Sequence, residues 1–407
     1  MNDQKAPVFL TRLRVENYRS IGFCDVRPGP LTVLAGPNAA GKSNVLDALR
    51  FVRDAVRASP ARALEPRGGL DEVLHRRPAG RQADSFRIHL EVGGAAHGRV
   101  PFNAAYTLEI GTDPEGDPSL PVVRSERLLI DGVPQTEPPY PQPRGEEPVA
   151  FREDTLLPSR ANRANREVRA LVSALGRMRF YEFLTPELRA LDDTPGSRGG
   201  QPLSERGGHL GRVLNALERH YPWAKEAIDG YLSTMIDNAV GVDGVEVREA
   251  NFAFVVGRFL QADGHVTKVD RRSLSDGTLR LTAVLAALFQ PLVLDGAMPL
   301  IGVEEPEISL HPPMLGALYD ALVAASRNTQ VIVTTQSADL LDNAAADPAH
   351  LLVVRDDGAG TTIGPIDETG LRLLADGVLT LPELLRSGEM RPLSPPEREE
   401  HGEGEQR

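Results

Sequence analysis

Residues 36–43 read GPNAAGKS and stand between a short apolar segment at 31–35 and a helical pattern at 42–58. Glycines at the first and sixth positions permit backbone angles at which successive N–H groups converge on an anion. The helix that follows adds the positive end of its dipole at the same point. A lysine and a hydroxyl side chain then reach the phosphates and a magnesium ion. The stretch therefore predicts a strand, a turn that binds a nucleoside triphosphate, and a helix.

Strand and helix patterns alternate again toward the C-terminal end of the chain. Apolar strand patterns at 299–303, 330–335 and 351–354 enclose helical patterns at 313–325 and 338–341. Alternation of this kind is typical of a parallel sheet with helices on its faces. The sequence therefore predicts an α/β fold.

The middle of the chain has a different character. Residues 132–148 contain six prolines and predict a mobile loop, and helical patterns begin near 162 and extend across 212–236. The stretch RFYEFL at 179–184 is predicted to be a core strand. Antiparallel strands are predicted at 86–92, 105–110 and 127–130, and further strands at 245–248, 252–259 and 265–269. The expected divisions are 1–130, 131–150 (a Pro-rich loop), 151–244 (a helical insert), 245–390 and 391–407 (a disordered tail).

Composition narrows the functional classes. The formal charge is −12, from 45 basic and 57 acidic residues, which excludes a uniformly basic surface for nucleic acid. Cys24 is the single cysteine, so no intramolecular disulfide or multi-cysteine zinc site can form. The most apolar stretch, 281–303, is interrupted by polar residues and prolines, which argues against a membrane span. We expect a soluble cytoplasmic protein. Only four basic residues are lysines, and Lys42 is one of them.

One apolar strand pattern finishes in adjacent acids. Residues 300–305 read LIGVEE and are followed by PEISLHP. A carboxylate at the end of a buried strand can hold a magnesium ion beside the phosphate loop, directly or through water. We expect Glu304 to face the metal and Glu305 to orient water, because the chain leaves the sheet here. Glu307 is expected to be a solvated surface carboxylate.

A third motif, SLSDG at 273–277, precedes a helical pattern at 278–289. Ser275 and the amides after it can cap that helix and also bind an anion. Alone this motif is a weak signal. Its position after a phosphate loop and 27 residues before Glu304, counted from Gly277, makes it a strong one.

Together these stretches resemble the ABC-type ATPases of the RecF/SMC class, also grouped with AAA-family ATPases. The sequence is most similar to single-chain ATPases related to the ATPase half of OLD-type nucleases. The resemblance implies a P-loop NTPase of ABC-ATPase type, with a mixed central sheet, a β-rich lobe and a helical insert. The matching stretches are ENYRS at 16–20, GPNAAGKSN at 36–44, SLSDGTLRL at 273–281 and GVEEPEISLHP at 302–312.

The resemblance also implies how the motifs work. Two copies of the chain would form a head-to-tail dimer around two ATP molecules, each with Mg²⁺ held by Ser43 and Glu304. Hydrolysis would use Glu305 and Gln336. The residues implied to bind ATP in one subunit are Arg19, Gly36, Pro37, Asn38, Ala39, Ala40, Gly41, Lys42, Ser43 and Asn44. The residues implied to contact that ATP from the other subunit are Ser275, Asp276 and Gly277. Arg19 has a second interpretation, as an ordinary surface arginine.

Two departures from the family pattern bear on function. The family has TTHS after its last core strand, whereas residues 334–337 read TTQS. Gln336 can donate a hydrogen bond to the γ-phosphate but cannot become cationic, so hydrolysis is expected to be slow or to need a partner. OLD-type nucleases carry a nuclease domain after the ATPase, and the roughly 70 residues after Gln336 are too few for one. A clear glutamine loop is missing, and Gln82 is its only candidate.

The partners are predicted less directly. Besides a second copy of the chain, the family suggests DNA and a nuclease or effector protein, in DNA repair, recombination or anti-phage defence. Arginines at 160, 163, 166 and 169 would form a basic stripe on a helix, which either neutralises phosphates or is an ordinary solvated face. The alternative to an ATPase is a nucleotide-gated assembly module with negligible turnover. A kinase, a GTPase or a transporter subunit fits the motifs less well.

Overall fold

The computed structural model describes residues 8–76, 82–96, 100–113, 121–135, 156, 166–193, 201–247, 249–358 and 360–393. Three sheets are present in this part of the chain, with six, three and six strands. The arginines at 160 and 163, most of the Pro-rich stretch and the predicted tail from 394 onward lie outside the described residues.

Strands and helices both occur in the N-terminal and the C-terminal half of the described chain. The strands are β1 (Leu10–Tyr18), β2 (Ile21–Val26), β3 (Leu31–Ala35), β4 (Ser85–Ala96), β5 (Val100–Thr112), β6 (Pro121–Ile130), β7 (Val133–Pro134), β8 (Arg179–Tyr181), β9 (Ala239–Val247), β10 (Phe252–Leu260), β11 (Val266–Asp270), β12 (Leu300–Glu304), β13 (Gln330–Thr335), β14 (Leu351–Asp356) and β15 (Thr361–Gly364). The α-helices are α1 (Lys42–Arg57), α2 (Pro60–Leu64), α3 (Leu70–Val73), α4 (Arg166–Arg177), α5 (Thr185–Leu188), α6 (Leu210–His220), α7 (Pro222–Met235), α8 (Asp276–Phe289), α9 (Pro291–Leu294), α10 (Leu315–Ala325), α11 (Glu368–Ala375) and α12 (Leu381–Arg386). Short 3₁₀ turns occur at Glu65–Arg67, Pro312–Met314, Ala338–Leu341 and Pro348–His350.

The central sheet has the strand order β15-β14-β3-β13-β12-β8. Its strands from β14 to β8 run parallel, and β15 is antiparallel to β14. β3 and β13 are buried along their whole length, as expected for parallel strands covered on both faces. The predicted α/β fold with a mixed central sheet is confirmed.

Alternate residues of this sheet enter two different hydrophobic cores. Leu34 and Ile332 pack in a first core with α1, whereas Val33 and Val333 pack in a second core with α8 and α10. Because side chains alternate across a strand, each face of the sheet has its own helical layer. The phosphate-loop helix and the helix after SLSDG therefore lie on opposite faces.

The first core also contains an antiparallel sheet of order β2-β1-β4-β5-β6-β7. Tyr18, Phe51 and Phe86 pack together there, with ring centroids 5.1 to 6.1 Å apart. This sheet is the β-rich lobe that the resemblance implies. The short strand β7 lies inside the stretch predicted to be a mobile loop, so its start is ordered by pairing with β6.

The second core includes the sheet β11-β10-β9 and the helices α6 and α7. The single helical pattern predicted at 212–236 is two helices, because Pro222 begins a new helix at its first position. Gly244 lets β9 approach α6 closely, since a Cβ at Gly244 would lie 1.9 Å from the carbonyl oxygen of Gly211. The core strand predicted at 179–184 is present as β8, which pairs with β12 at the edge of the central sheet.

Residues 276–294 form one stretch that is long and apolar enough to cross a membrane. Its most apolar window is 72% buried within the fold, where α8 forms the centre of the second core. Core helices of soluble proteins pass the same test, so this stretch is weak support for a membrane span.

Candidate functional site

The loop at 36–43 joins β3 to α1 with the backbone shape that its glycines predict. Ala39 and Gly41 have φ angles of 60° and 96°, in the left-handed region that glycine adopts without strain. The N–H of Gly36 donates to the carbonyl of Thr335 at 3.2 Å, which fixes the loop to the end of β13. A Cβ at Gly36 would lie 2.0 Å from the carbonyl oxygen of Val354, so no side chain fits there.

Lys42 begins α1 and is 5% exposed. Its Nζ donates to the carbonyls of Gly36 and Pro37 at 3.0 and 2.8 Å, so the ammonium lies inside the curve of the loop. Burial lowers the pKa of Lys42, and the nearby carboxylates of Glu305 and Glu307 act in the opposite direction. The acidic strand end and the loop lysine therefore lie close together.

A chain of hydrogen bonds supports the loop from behind. Asn44 donates through Nδ2 to the hydroxyl of Ser20 at 2.6 Å, and that hydroxyl lies 2.6 Å from Oγ1 of Thr361. The Thr361 hydroxyl donates to the carbonyl of Ala40 at 2.9 Å. Thr361 is buried and belongs to β15, more than 300 residues from the loop, and no sequence pattern predicted it.

Arg19 lies in the turn between β1 and β2, with a φ of 51°. Its guanidinium forms an ion pair with Asp47 of α1 at 2.9 Å. Asp47 also accepts hydrogen bonds from Tyr18 at 2.7 Å and from Arg67 at 3.0 Å. The structure thus places Arg19 against the helix that begins at the phosphate loop, one turn beyond Ser43.

The predicted metal ligands lie together across the site. The hydroxyl of Ser43 lies close enough to the carboxylate of Glu304, at the end of β12, to lower its pKa, and Arg50 pairs with the same carboxylate at 3.2 Å. Burial raises the pKa of Glu304, the carboxylate of Glu182 raises it further, and Ser43 and Arg50 lower it. Among the described residues no cluster of three His, Cys, Asp or Glu could hold a metal ion. A cation here would therefore need phosphate oxygens and water besides Ser43 and Glu304.

Glu305 follows β12 with a φ of 42°, which is rare for a residue other than glycine. Its N–H donates to both the carbonyl and the hydroxyl of Thr334, at 3.1 Å each. These bonds hold a conformation that costs roughly 1–3 kcal/mol, and backbone strain of this size is most common at functional sites. The chain leaves the sheet at this residue, so Glu304 and Glu305 no longer point to strictly opposite faces.

The expectation that Glu307 is a solvated surface carboxylate is wrong. Glu307 is 8% exposed, and its carboxylate accepts a hydrogen bond from the Thr335 hydroxyl. The tight turn through Pro306 folds this side chain back under the end of β13. The polar sequence around Glu307 does not predict this burial. Burial raises the pKa of Glu307. Gln336 itself has an exposed side chain at the surface of the site.

The SLSDG motif lies at the start of α8. The hydroxyl of Ser275 accepts the N–H of Thr278 at 3.1 Å and caps the helix, as predicted. Ser275 and Asp276 are exposed, and a Cβ at Gly277 would lie 2.6 Å from the carbonyl of Ser309. The motif therefore packs against the loop that follows the acidic strand, and its polar groups face solvent.

The structure brings some of the predicted site residues together and not others. Residues 36–44 lie with Glu304, Glu305 and Gln336 at the carboxyl edge of the central sheet. In the part of the chain that the structure describes, no hydrogen bond or ion pair joins 273–277 to this group. Gln82 lies in the N-terminal lobe, where its amide donates to the carbonyl of Asp71. Sequence reasoning missed Ser20, Arg50, Glu182, Arg189 and Thr361.

These features together define the fold of a P-loop nucleotide-binding ATPase. They are a parallel sheet, a glycine-rich loop at its edge, a buried lysine in that loop, and a hydroxyl beside the carboxylate that ends a strand. Residues 31–342 match the family described as "AAA domain, putative AbiEii toxin, Type IV TA system". The match spans most of the chain, which therefore belongs to this family.

Solved structures show the same fold. An SMC head bound to the C-winged helix domain of ScpA is 12% identical, with a TM-score of 0.57, and the match covers 90% of this chain and 100% of that chain. An SMC head domain with an extended coiled coil from Pyrococcus furiosus, bound to the C-terminal domain of ScpA, is 11% identical, with a TM-score of 0.52. That match covers 91% of this chain and 100% of the other. None of the curated proteins matches the chain. The predicted resemblance to RecF/SMC-like ABC-type ATPases is confirmed at the level of the fold.

Proposed function

We propose that this protein binds and hydrolyses ATP, and that ATP joins two copies head to tail as a reversible switch. The observation that carries this proposal is the position of the buried Lys42 inside the loop, with the next residue, Ser43, close enough to the Glu304 carboxylate to lower its pKa. The ammonium of Lys42, the hydroxyl of Ser43 and the buried carboxylate of Glu304 thus lie together, which is the arrangement that phosphoryl transfer needs. The exposed Ser275 and the partly exposed Gly277 support the second part, because a nucleotide held by another subunit can reach them.

The chain's own residues divide the work of hydrolysis. The amides of residues 38–43 and the ammonium of Lys42 would bind the phosphates, and Ser43 and Glu304 would hold Mg²⁺, which neutralises charge on the phosphate oxygens. Glu305 would accept a proton from the attacking water and orient it. The side chain of Gln336 would donate a hydrogen bond to the γ-phosphate.

The decisive experiment measures the solution mass of the Glu305→Gln protein with and without Mg-ATP. A carboxamide cannot take the proton from water, so ATP persists and the dimer should accumulate. Lys42→Ala in the same background should stay monomeric, and Glu368→Gln, an exposed acid on α11, is the matched control for wild-type behaviour. A mass that saturating ATP does not change, in a protein that binds ATP, would refute the homodimer switch.

The alternative function is a nucleotide-gated assembly module that turns over negligibly and regulates a partner. The observation that favours it is Gln336, which lacks the charge of the histidine that the family usually carries. Phosphate release from the wild-type chain, compared with Lys42→Ala, separates the two. Release that does not exceed the Lys42→Ala background, together with ATP-dependent dimers, would support the assembly module.

We further propose a cytoplasmic role in anti-phage defence or DNA repair, exercised through DNA and a nuclease or effector protein. The family description names a toxin of a toxin–antitoxin system, and the similar SMC heads were solved with ScpA. Expression of the wild-type and Lys42→Ala chains, each with its genomic neighbours, followed by phage challenge, tests the defence role. Electrophoretic mobility of duplex DNA with the Glu305→Gln dimer tests DNA binding.

A further inference from the structure

The guanidinium of Arg189 forms hydrogen bonds with several backbone carbonyls of the loop that carries the SLSDG motif. Arg189 directly follows α5. Its Nη1 donates to the carbonyls of Arg271 and Arg272, at 2.8 and 2.7 Å. Its Nη2 donates to the carbonyl of Leu274 and to the carboxylate of Asp276, both at 2.6 Å. In return, Nε of Arg271 donates to the carbonyl of Arg189 at 2.7 Å.

These bonds give the carbonyl groups of the loop hydrogen-bond donors that a helix or a sheet would otherwise provide. Residues 271–275 connect β11 to α8, and the carbonyls of 271–274 belong to no sheet ladder or helix. Only a planar guanidinium, with five N–H groups in a fixed fork, can bond three such carbonyls and a carboxylate at once. A lysine carries three donors on one nitrogen and cannot span the same set. The direction of the Ser275 hydroxyl and of the amides after it depends on this loop.

The segment that contains Arg189, residues 182–192, contacts other parts of the site at each of its two ends. On one side, β8 ends at Tyr181, which pairs with Val303 of β12, so the next residue, Glu182, lies beside Glu304. On the other side, Asp192 exchanges two backbone hydrogen bonds with Ala253 of β10, at 2.9 and 2.8 Å. The segment 182–192 therefore connects the metal-side strand end with the lobe that carries SLSDG.

We propose that Arg189 is a positioning residue: it holds residues 271–276 in the shape in which Ser275 and Gly277 receive the nucleotide of a second subunit. Through segment 182–192, it also ties that shape to the edge of the central sheet beside Glu304. This inference rests on the proposed function. It adds that one arginine, outside all three motifs, decides whether the surface offered to the partner is formed.

The test uses the full chain with Glu305→Gln, in which the ATP dimer should persist. Arg189→Lys keeps the charge and removes the fork. Arg206→Lys is the matched control, because Arg206 lies in the same lobe, is 69% exposed and has only a 4.0 Å ion pair with Glu187 among the described contacts of its side chain. Ser275→Arg is the positive control. Each variant is measured for ATP binding by equilibrium dialysis, for dimer dissociation by sedimentation equilibrium and for folding by circular dichroism.

Arg189→Lys should bind ATP as the parent does, while its dimer dissociation constant rises about tenfold or more, since the loop loses most of its partners. Arg206→Lys should match the parent. In the chain that retains Glu305, Arg189→Lys should lower turnover without weakening ATP binding, a separation that general destabilisation would not give. If Arg189→Lys does not fold, Arg271→Lys, which removes the Nε bond to the carbonyl of Arg189, should raise the dissociation constant about threefold.

The outcomes separate this inference from the proposed function. If Ser275→Arg abolishes the dimer and Arg189→Lys leaves it unchanged, the positioning role is refuted and the head-to-tail switch stands. If Ser275→Arg also leaves the dimer unchanged, the motif does not contact the second nucleotide, and both proposals fail. If Arg189→Lys weakens ATP binding as much as it weakens the dimer, Arg189 supports the fold in general and the inference is wrong.

Discussion

Replacing Thr361 by valine removes one buried hydroxyl from behind the phosphate loop and keeps the shape of the side chain. The Thr361 hydroxyl donates to the carbonyl of Ala40 at 2.9 Å and lies 2.6 Å from the hydroxyl of Ser20. In Thr361→Val both groups lose this partner. A buried polar group without a partner costs about 1–3 kcal/mol, and the Ser20 hydroxyl is half-buried and can rotate toward water. We therefore expect the free energy of unfolding to fall by about 2 kcal/mol, most of it from Ala40.

The same substitution should weaken ATP binding, because the Ala40 carbonyl belongs to the loop that surrounds the phosphates. If half of the lost stabilisation belongs to the loop shape that binds ATP, about 1 kcal/mol is lost from binding, which is an affinity about fivefold weaker. Urea unfolding and titration with a fluorescent ATP analogue measure the two quantities. Thr362→Val is the control: its neighbouring hydroxyl makes one long bond of 3.3 Å to Asp357 and should change neither. Thr361→Val with the stability and affinity of Thr362→Val would refute the reasoning.

Three further substitutions or reagents test other parts of the structure. Gly36→Ala should abolish ATP binding, because its Cβ would lie 2.0 Å from a carbonyl oxygen. The control is Gly230→Ala in α7, whose Cβ would meet no other atom and which should stabilise the protein by about 0.5–1 kcal/mol. Calorimetry measures both ATP binding and stability, and a Gly36→Ala protein that binds ATP would contradict the loop geometry. Burial raises the pKa of Glu307 above 4.5, so the native state keeps a proton that the unfolded state loses, and stability falls as pH rises from about 4.5 through the raised pKa. Glu307→Gln should remove that fall, and an unfolding free energy that differs from the parent by the same amount at every pH between about 4 and 7 would contradict it. Burial raises the pKa of the Cys24 thiol to about 12, so a thiol reagent should label it only after urea unfolding, and rapid labelling of the native chain would contradict its full burial.

The local elements of the fold were predictable because each depends on a short window of sequence. The phosphate loop needs only its two glycines, the buried strand before it and the helix after it, and all three occur where they were predicted. Ser275 caps α8 because a hydroxyl at that position can accept a backbone N–H whatever lies around it. Strands β12 and β13 are rich in apolar residues, which predicted that both of their faces are covered.

The contacts that complete the site were not predictable, because they join residues far apart in sequence. Thr361 reaches the loop from β15, and Arg189 reaches residues 271–276 from another lobe. One arginine among many, or one threonine in a short strand, carries no local pattern that distinguishes it. Glu307 was mispredicted for the same reason: its burial depends on how the turn after Glu305 folds against β13, and three acids in four residues suggest solvent exposure.

The two hydrophobic cores constrain how ATP could change the shape of one subunit. α1 and α8 lie on opposite faces of the central sheet, and neighbouring residues of each strand enter different cores. Sliding either helix across the sheet would disrupt close packing in its own core, and such rearrangements are costly in well-packed interiors. A signal from the metal-side carboxylates to SLSDG is therefore expected to pass through loops at the sheet edge. Segment 182–192 is such a connection, since it begins beside Glu304 and contacts the SLSDG loop through the side chains of Arg189 and Arg271.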